Sequence, residues 1–309
     1  MINFILFIAS LFVVIKAADF AILYSSKFAK GLRVSKYIIG FLLVAVISVM
    51  PETFISISSA VQGESSFGLG TLFGSNVADL SLIFAIIILL SAHPIRIESK
   101  VIKNSPLYIL ILAVPILLGL NGYYSRIEGV VIIMVGLIFY FFMLHKKKKT
   151  NRVIKKKFSW NYFSLLACSM AILLFASIMT VKFGVRFAND LHVNEVLVAM
   201  LFVGLGTTLP ELFFSIKAIK ANHDGLAIGD LMGTVITDAT ILVGILAVIR
   251  PFAFNGRIVY VTGIFMLVAA IVLLYFMRSG RSLTKKEGLL LLAYYLVFVL
   301  AELAVNYQS

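Results

Sequence analysis

Four acidic residues, Glu52, Asp79, Glu211 and Asp238, stand inside long apolar stretches of this 309-residue sequence. A charged side chain at the centre of a bilayer costs about 2.5–3.5 kcal/mol by insertion scales, so each is an expensive choice. The four form two matching pairs: 27 residues separate Glu from Asp in each, and 159 residues separate the pairs. Residues 43–85 and 202–244 align without a gap, and polar positions recur with the apolar ones. Ser48 matches Thr207, Pro51 matches Pro210, Ser56 matches Ser215 and Ser75 matches Thr234. Gly70 and Gly74 recur as Gly229 and Gly233, a small-residue spacing that lets helix backbones approach closely. Apolar helices resemble one another by chance, but chance does not place Glu and Asp in register twice.

The neighbouring sequence offers these acids no basic partner. Lys16 lies on another apolar stretch with Asp19 beside it. A bound cation, protons, or both must then offset the buried charge. The surrounding donors are all oxygens: the four carboxylates, the hydroxyls of Ser48, Ser75, Thr207, Thr208 and Thr234, and carbonyls freed where Pro51 and Pro210 interrupt a helix. Such a set suits calcium, which takes six to eight oxygens in a flexible shell, better than magnesium, which prefers a small octahedron and keeps its waters. Neither repeat core holds cysteine or histidine, which argues against zinc or copper. The single cysteine, Cys168, forms no internal disulfide, and His93, His145, His192 and His223 have no ligand-like spacing. Four ionised carboxylates around one divalent ion leave two negative charges, so one or two are expected to carry a proton in some states, with Asp79 and Asp238 as the pair. Once the divalent ion leaves, sodium ions or protons must refill the site before it reorients. Exchange follows from this, in preference to a channel. A membrane enzyme using the acids for proton transfer is the weaker reading, because no nucleophile, base or cofactor motif accompanies them.

The elements that position these residues are membrane spans. Hydrophobic residues make up 61% of the chain and charged ones 13%, with a mean hydropathy of +1.06. Soluble domains carry roughly 25% charged residues. About 20 apolar residues cross the hydrocarbon as a helix. Candidate spans fall near 3–24, 37–60, 67–90, 106–121, 127–144, 160–181, 194–219, 226–249, 257–277 and 287–305. The N-terminus lacks the basic start of a cleaved signal, since its first positive charge is Lys16, inside the apolar run. An all-α integral membrane protein is therefore expected, with ten transmembrane helices in two five-helix repeats. An odd number of spans per half inverts the second half relative to the first and places the site near the midplane, where the halves meet. The first repeat covers 1–144, a basic loop 145–159 and the second repeat 160–309.

Basic residues set the orientation. The 145–159 loop holds eight, and alternation gives the same side to Lys27, Lys30, Arg33, Lys36, Arg96, Lys100, Lys103, Lys217, Lys220, Arg278, Arg281, Lys285 and Lys286. That is 21 of the 27. This side should be cytoplasmic, with both termini outside a cell membrane. The net charge of +13 then meets anionic lipid headgroups, and no nucleic-acid partner is needed.

At these residues the sequence resembles the calcium/cation antiporter superfamily, most closely the prokaryotic sodium/calcium exchangers. VGLGTTLPE (203–211) is similar to the family's G-T-S-x-P-E signature, and FGSNVAD (73–79) to its G-S-N-x-x-N/D signature. The resemblance covers nearly the whole chain. It implies a secondary antiporter, not an enzyme, that exports Ca2+ by admitting Na+ through alternating access. It assigns Glu52 and Glu211 as the central cation-binding glutamates, with Ser48, Thr207, Thr208, Ser75 and Thr234 as hydroxyl ligands. Asp79 and Asp238 flank the centre. By the same analogy the helices at 3–24 and 160–181 slide. Separately, a monomer without a cofactor is expected. Departures appear at Val49 and Ile47, where the pattern has a hydroxyl residue and a glycine. Further departures are Asp79, where close exchangers often have asparagine, and Asp230, in place of the usual Asn after Gly229. These imply a weakened sodium position and move some weight toward H+ coupling or another divalent cation.

Overall fold

The computed structural model describes residues 2–29, 49–97, 99–145, 160–220 and 222–307. Ile47, Ser48 and the basic residues of 146–159 lie outside the described residues, so the expectations placed on them stay at the sequence level. The fold is mostly helical, as the long apolar runs require when no water is present to satisfy the backbone. Among the described residues six helices are long and apolar enough to cross a membrane: Ser65–Leu90, Asn161–Leu191, Glu195–Lys220, Asp224–Ile249, Ile258–Gly280 and Lys285–Val305. Further helices cover Ile2–Ala29, Ser99–Leu118 and Arg126–His145, and Met50–Gln62 forms the described part of the 37–60 stretch.

Side-chain polarity is distributed for a lipid surround. Large apolar groups such as Leu110, Ile127, Tyr275 and Leu300 face outward, while Ser56, Ser59, Thr71, Ser75 and Asn76 are fully buried. Most buried apolar residues form one core around the 65–90 and 224–249 helices. A second cluster joins Phe7, Leu11 and Val14 to Leu173, Val181 and Phe187, and it reaches Ile55, Phe67 and Val203 of the other helices; helices 2–29 and 160–191 pack chiefly on each other. Phe7 and Phe187 stack there with ring centroids 5.9 Å apart.

The helices 65–90 and 224–249 run antiparallel, because contacts at both ends place the start of each beside the end of the other. His93, just past the first helix, meets Asp224 at the start of the second, with Nε2 3.2 Å from Oδ1. The Arg96 amide also donates to Asp224, at 2.9 Å. At the opposite end Arg250 lies against Gly63. There burial, and the Glu195 carboxylate, push the Glu64 carboxyl above its usual range, while Arg250 pulls it the other way. Two short antiparallel strand pairs close the loops: Ile95–Arg96 with Ser282–Leu283, and Tyr123–Tyr124 with Phe252–Ala253. Two-residue strands have no periodicity that a sequence pattern could show.

Helix 65–90 also packs against the start of helix 195–220 through its glycines. A Cβ on Gly70 would lie 2.7 Å from Val196 Cγ1, and one on Gly74 would lie 2.7 Å from both Cα and O of Met200. A Cβ on Gly229 would meet no described atom within 4 Å beyond its own stretch of helix. Residues 37–41, the repeat counterparts of the Val196–Met200 stretch, lie outside the described residues. Gly74→Ala should therefore force two backbones apart and destabilise the protein by roughly 1–3 kcal/mol. Gly280→Ala, whose new methyl would meet nothing nearer than 3.7 Å, serves as the neutral control. Thermal unfolding in detergent measures both, and equal midpoints would contradict the packing.

Candidate cation site

Glu52 and Glu211 each stand in the first turn of a proline-led helical segment. Met50–Gln62 begins after a turn at Val49, and Leu209–Lys220 begins after a turn at Thr208. Pro51 and Pro210 occupy the second position of these segments, where a missing N–H does least harm. Proline cannot donate to the carbonyl four residues back, so at Pro210 the helical ladder from Gly204–Thr207 is broken. The glutamate follows at once, in the first turn of each new segment, where the helix dipole favours a negative charge. Thr207 and Thr208 help to close the turn by donating to the carbonyls of Gly204 (3.1 Å) and Leu205 (3.0 Å). In the first repeat Thr53 Oγ1 donates to the Val49 carbonyl at 2.6 Å.

Asp79 and Asp238 sit on a different backbone device. Each opens a π-helical turn, Asp79–Ile83 and Asp238–Leu242, within an otherwise α-helical span. The two turns are 159 residues apart, the spacing of the sequence repeat. A π turn inserts one residue and strains the local ladder. A hydroxyl meets this in both copies: Ser81 donates to the Val77 carbonyl and Thr240 to that of Ile236. The acids are plain in the sequence but these turns are not, since a one-residue insertion leaves no trace in an apolar pattern.

The two pairs come together. All four acids are fully buried. Glu211 interacts electrostatically with Glu52 and Asp79, and Asp238 with the same two, so the halves share one anionic neighbourhood. Ser75 Oγ of the first repeat lies 3.4 Å from Asp238 Oδ2 of the second. Both oxygens of Glu52, Glu211 and Asp79, and Oδ1 of Asp238, lack a hydrogen-bond partner among the described residues. The Thr207 hydroxyl lies close to Glu52 but directs its hydrogen bond to Gly204. Thr234 is buried on the same helix as Asp238. Among the described residues no lysine or arginine pairs with these acids, and Lys16 meets Asp19 at 3.6 Å with both side chains about half exposed. Nor do three Asp, Glu, His or Cys side chains converge there as a closed metal shell. Closing one around an ion would draw on hydroxyl and carbonyl oxygens as well, which fits a large hard cation better than a tetrahedral metal.

Two further acids belong to this interior. Asp230, noted in the sequence only as a departure from a pattern, is buried and interacts electrostatically with Asp79 and Glu211. Glu302 is also buried and accepts a hydrogen bond from Thr262 Oγ1 at 2.5 Å. It met the criterion that singled out the other four, an acid inside an apolar span, but it has no repeat partner to draw attention to it.

A helical, multi-pass membrane protein with a buried anionic centre shared between two repeats is the class that this geometry defines. The chain matches the sodium/calcium exchanger protein family over residues 2–145 and 161–304, and it belongs to that family. It is 26% identical to the sodium/calcium exchanger MaX1 of Methanosarcina acetivorans, over 96% of this chain and 97% of that one. It is 25% identical to the membrane protein MJ0091 of Methanocaldococcus jannaschii, over 95% of each. Its fold is that of the sodium-calcium exchanger NCX_Mj soaked with 10 mM Na+ and zero Ca2+, at a TM-score of 0.66 and 21% identity over 96% of this chain and 97% of that one.

Buried acids without basic partners should make the folded protein gain stability from a cation. A ligand at a hundred times its Kd adds about 2.7 kcal/mol. Calcium should raise the unfolding temperature of the purified protein in detergent, and Glu211→Gln should remove most of that rise. An equal rise in the variant would show that calcium binds elsewhere.

Proposed function

We propose that this protein is a secondary antiporter that exchanges Ca2+ for Na+ across a membrane by alternating access. The observation that carries this reading is the set of four fully buried carboxylates, at repeat-matched positions, in a member of the sodium/calcium exchanger family. Such a site cannot cross between two access states uncompensated, because bare charge in a low-dielectric surround is too costly. It moves loaded with calcium one way and with sodium the other. The transport names of the relatives above point to the same pair of ions.

In this reading the ligands are Glu52 and Glu211 at the centre, with Asp79 and Asp238 beside them. The hydroxyls of Ser48, Ser75, Thr207, Thr208 and Thr234 complete the shell. The chain divides into a first repeat at 1–144, a basic loop at 145–159 and a second repeat at 160–309, with ten spans in two inverted halves. The strand pairs support the inversion. One helix separates the loop at 95–96 from that at 123–124, so they lie at opposite ends of the first half. The same holds for 252–253 and 283 in the second half. Yet the earlier loop of the first half pairs with the later loop of the second, and the reverse. Two halves of like orientation could not pair in that way. The excess of basic residues in the 145–159 loop supports a cytoplasmic placement for it and outside termini.

The helices 2–29 and 160–191 are the moving part. They pack chiefly on each other, and Ile55, Phe67, Val198, Ala199 and Val203 of the remaining helices form the apolar surface over which such a pair would slide by shear. Leu11 of this pair fills the space beside Gly206, just before the Thr208 break, so its displacement would open one approach to Glu211.

Calcium flux in proteoliposomes, with sodium and proton gradients imposed one at a time, tests this reading. The sodium gradient should drive calcium movement in the opposite direction. Glu52→Gln and Glu211→Gln should each abolish that movement while leaving the protein folded. Calcium flux indifferent to the sodium gradient would overturn the proposal.

A further inference from the structure

Asp230 is a buried acid that the four repeat-matched carboxylates do not account for. Its repeat counterpart is Thr71, a neutral residue whose hydroxyl donates to the Phe67 carbonyl at 3.1 Å. The second half therefore brings three acids to the centre, Glu211, Asp230 and Asp238, against two from the first. Asp230 is only 4% exposed. It precedes Thr234 by four residues on helix 224–249, and residues four apart share a helix face. That helix packs against the π turn bearing Asp79 and against the 209–220 segment bearing Glu211. Asp230 lies within electrostatic reach of both Asp79 and Glu211. Tyr140 borders the same stretch, with its hydroxyl 2.8 Å from the Gly233 carbonyl, and it too senses Asp230 and Asp238.

A fifth carboxylate changes the charge that cargo must offset. One Ca2+ leaves two negative charges among four acids and three among five. In the sodium-loaded limb, each added carboxylate requires one more monovalent ion for the same degree of compensation. We propose that Asp230 is a further cation-binding residue of the exchange site and that it adds one sodium ion to each exchange for calcium. This inference rests on the Ca2+/Na+ exchange reading. Thr234, one turn away on the same helix face, brings a hydroxyl oxygen to the same position. Because its counterpart in the first half is neutral, the added sodium belongs to the second-half side of the site.

The coupling ratio tests the inference. Reconstituted protein is held at zero membrane potential under a known sodium gradient, and the calcium gradient at which net calcium flux vanishes is measured. Removing one sodium from the cycle lowers the calcium gradient sustained by a tenfold sodium gradient by about tenfold. Asp230→Asn should show that loss, and Asp230→Glu should retain the unaltered ratio. If the unaltered protein exchanges but Asp230→Asn nulls at the same calcium gradient, the inference is overturned while the exchange reading stands. If the unaltered protein shows no sodium-driven calcium flux, the exchange reading itself has failed. If the null point of the unaltered protein follows a pH gradient and Asp230→Asn removes that dependence, the added ion is a proton and the sodium assignment is overturned. Should Asp230→Asn transport too slowly to reach a null, radiolabelled sodium displaced per calcium bound by the purified protein gives the same count. One fewer sodium displaced in the variant supports the inference, and equal displacement overturns it.

Discussion

The constraint on which the rest of this structure depends is electrostatic. Four carboxylates lie fully buried, and among the described residues no basic side chain meets them. Water would solvate such groups, and a lysine or arginine would neutralise them at the cost of fixing them in place. Mobile cations satisfy the same requirement and leave the charge exchangeable. The cost of burying the acids is thus what couples one ion to another, because no access state tolerates the site without cargo.

The backbone around the site serves that constraint in two ways. Proline-led breaks set Glu52 and Glu211 in the first turns of new helical segments. Paired π turns set Asp79 and Asp238 within continuous spans. The antiparallel arrangement of helices 65–90 and 224–249 brings the two π turns toward each other, and Ser75 reaches across to Asp238. Close packing at Gly70 and Gly74 joins helix 65–90 to the start of helix 195–220, while helices 2–29 and 160–191 pack chiefly on each other and meet this bundle through Ile55, Phe67 and Val203.

Much of this was legible in the sequence because polar residues in an apolar background are conspicuous. The Pro-Glu pairs, the recurring hydroxyls and the 159-residue offset single out these positions, and the four acids share one electrostatic neighbourhood with Ser75 3.4 Å from Asp238 Oδ2. What escaped notice had weak sequence signals. The π turns are backbone insertions without a residue preference, and the strand pairs are two residues long. Glu302 and Thr262 form a bond across helices that no local pattern encodes. Asp230 was visible as a departure, but only tertiary packing placed it beside Asp79 and Glu211. His93 illustrates the converse. Its spacing suggests no ligand role, yet it ties two site-bearing helices together through Asp224.

The most direct test of a site whose buried charge must always be matched by cations is equilibrium calcium binding to the purified protein at rising sodium concentration. Calcium should bind in low sodium and be displaced cooperatively as sodium increases, with Glu52→Gln losing the calcium signal. Calcium bound equally well at all sodium concentrations would contradict the account, since the two ions would then not compete for the same carboxylates.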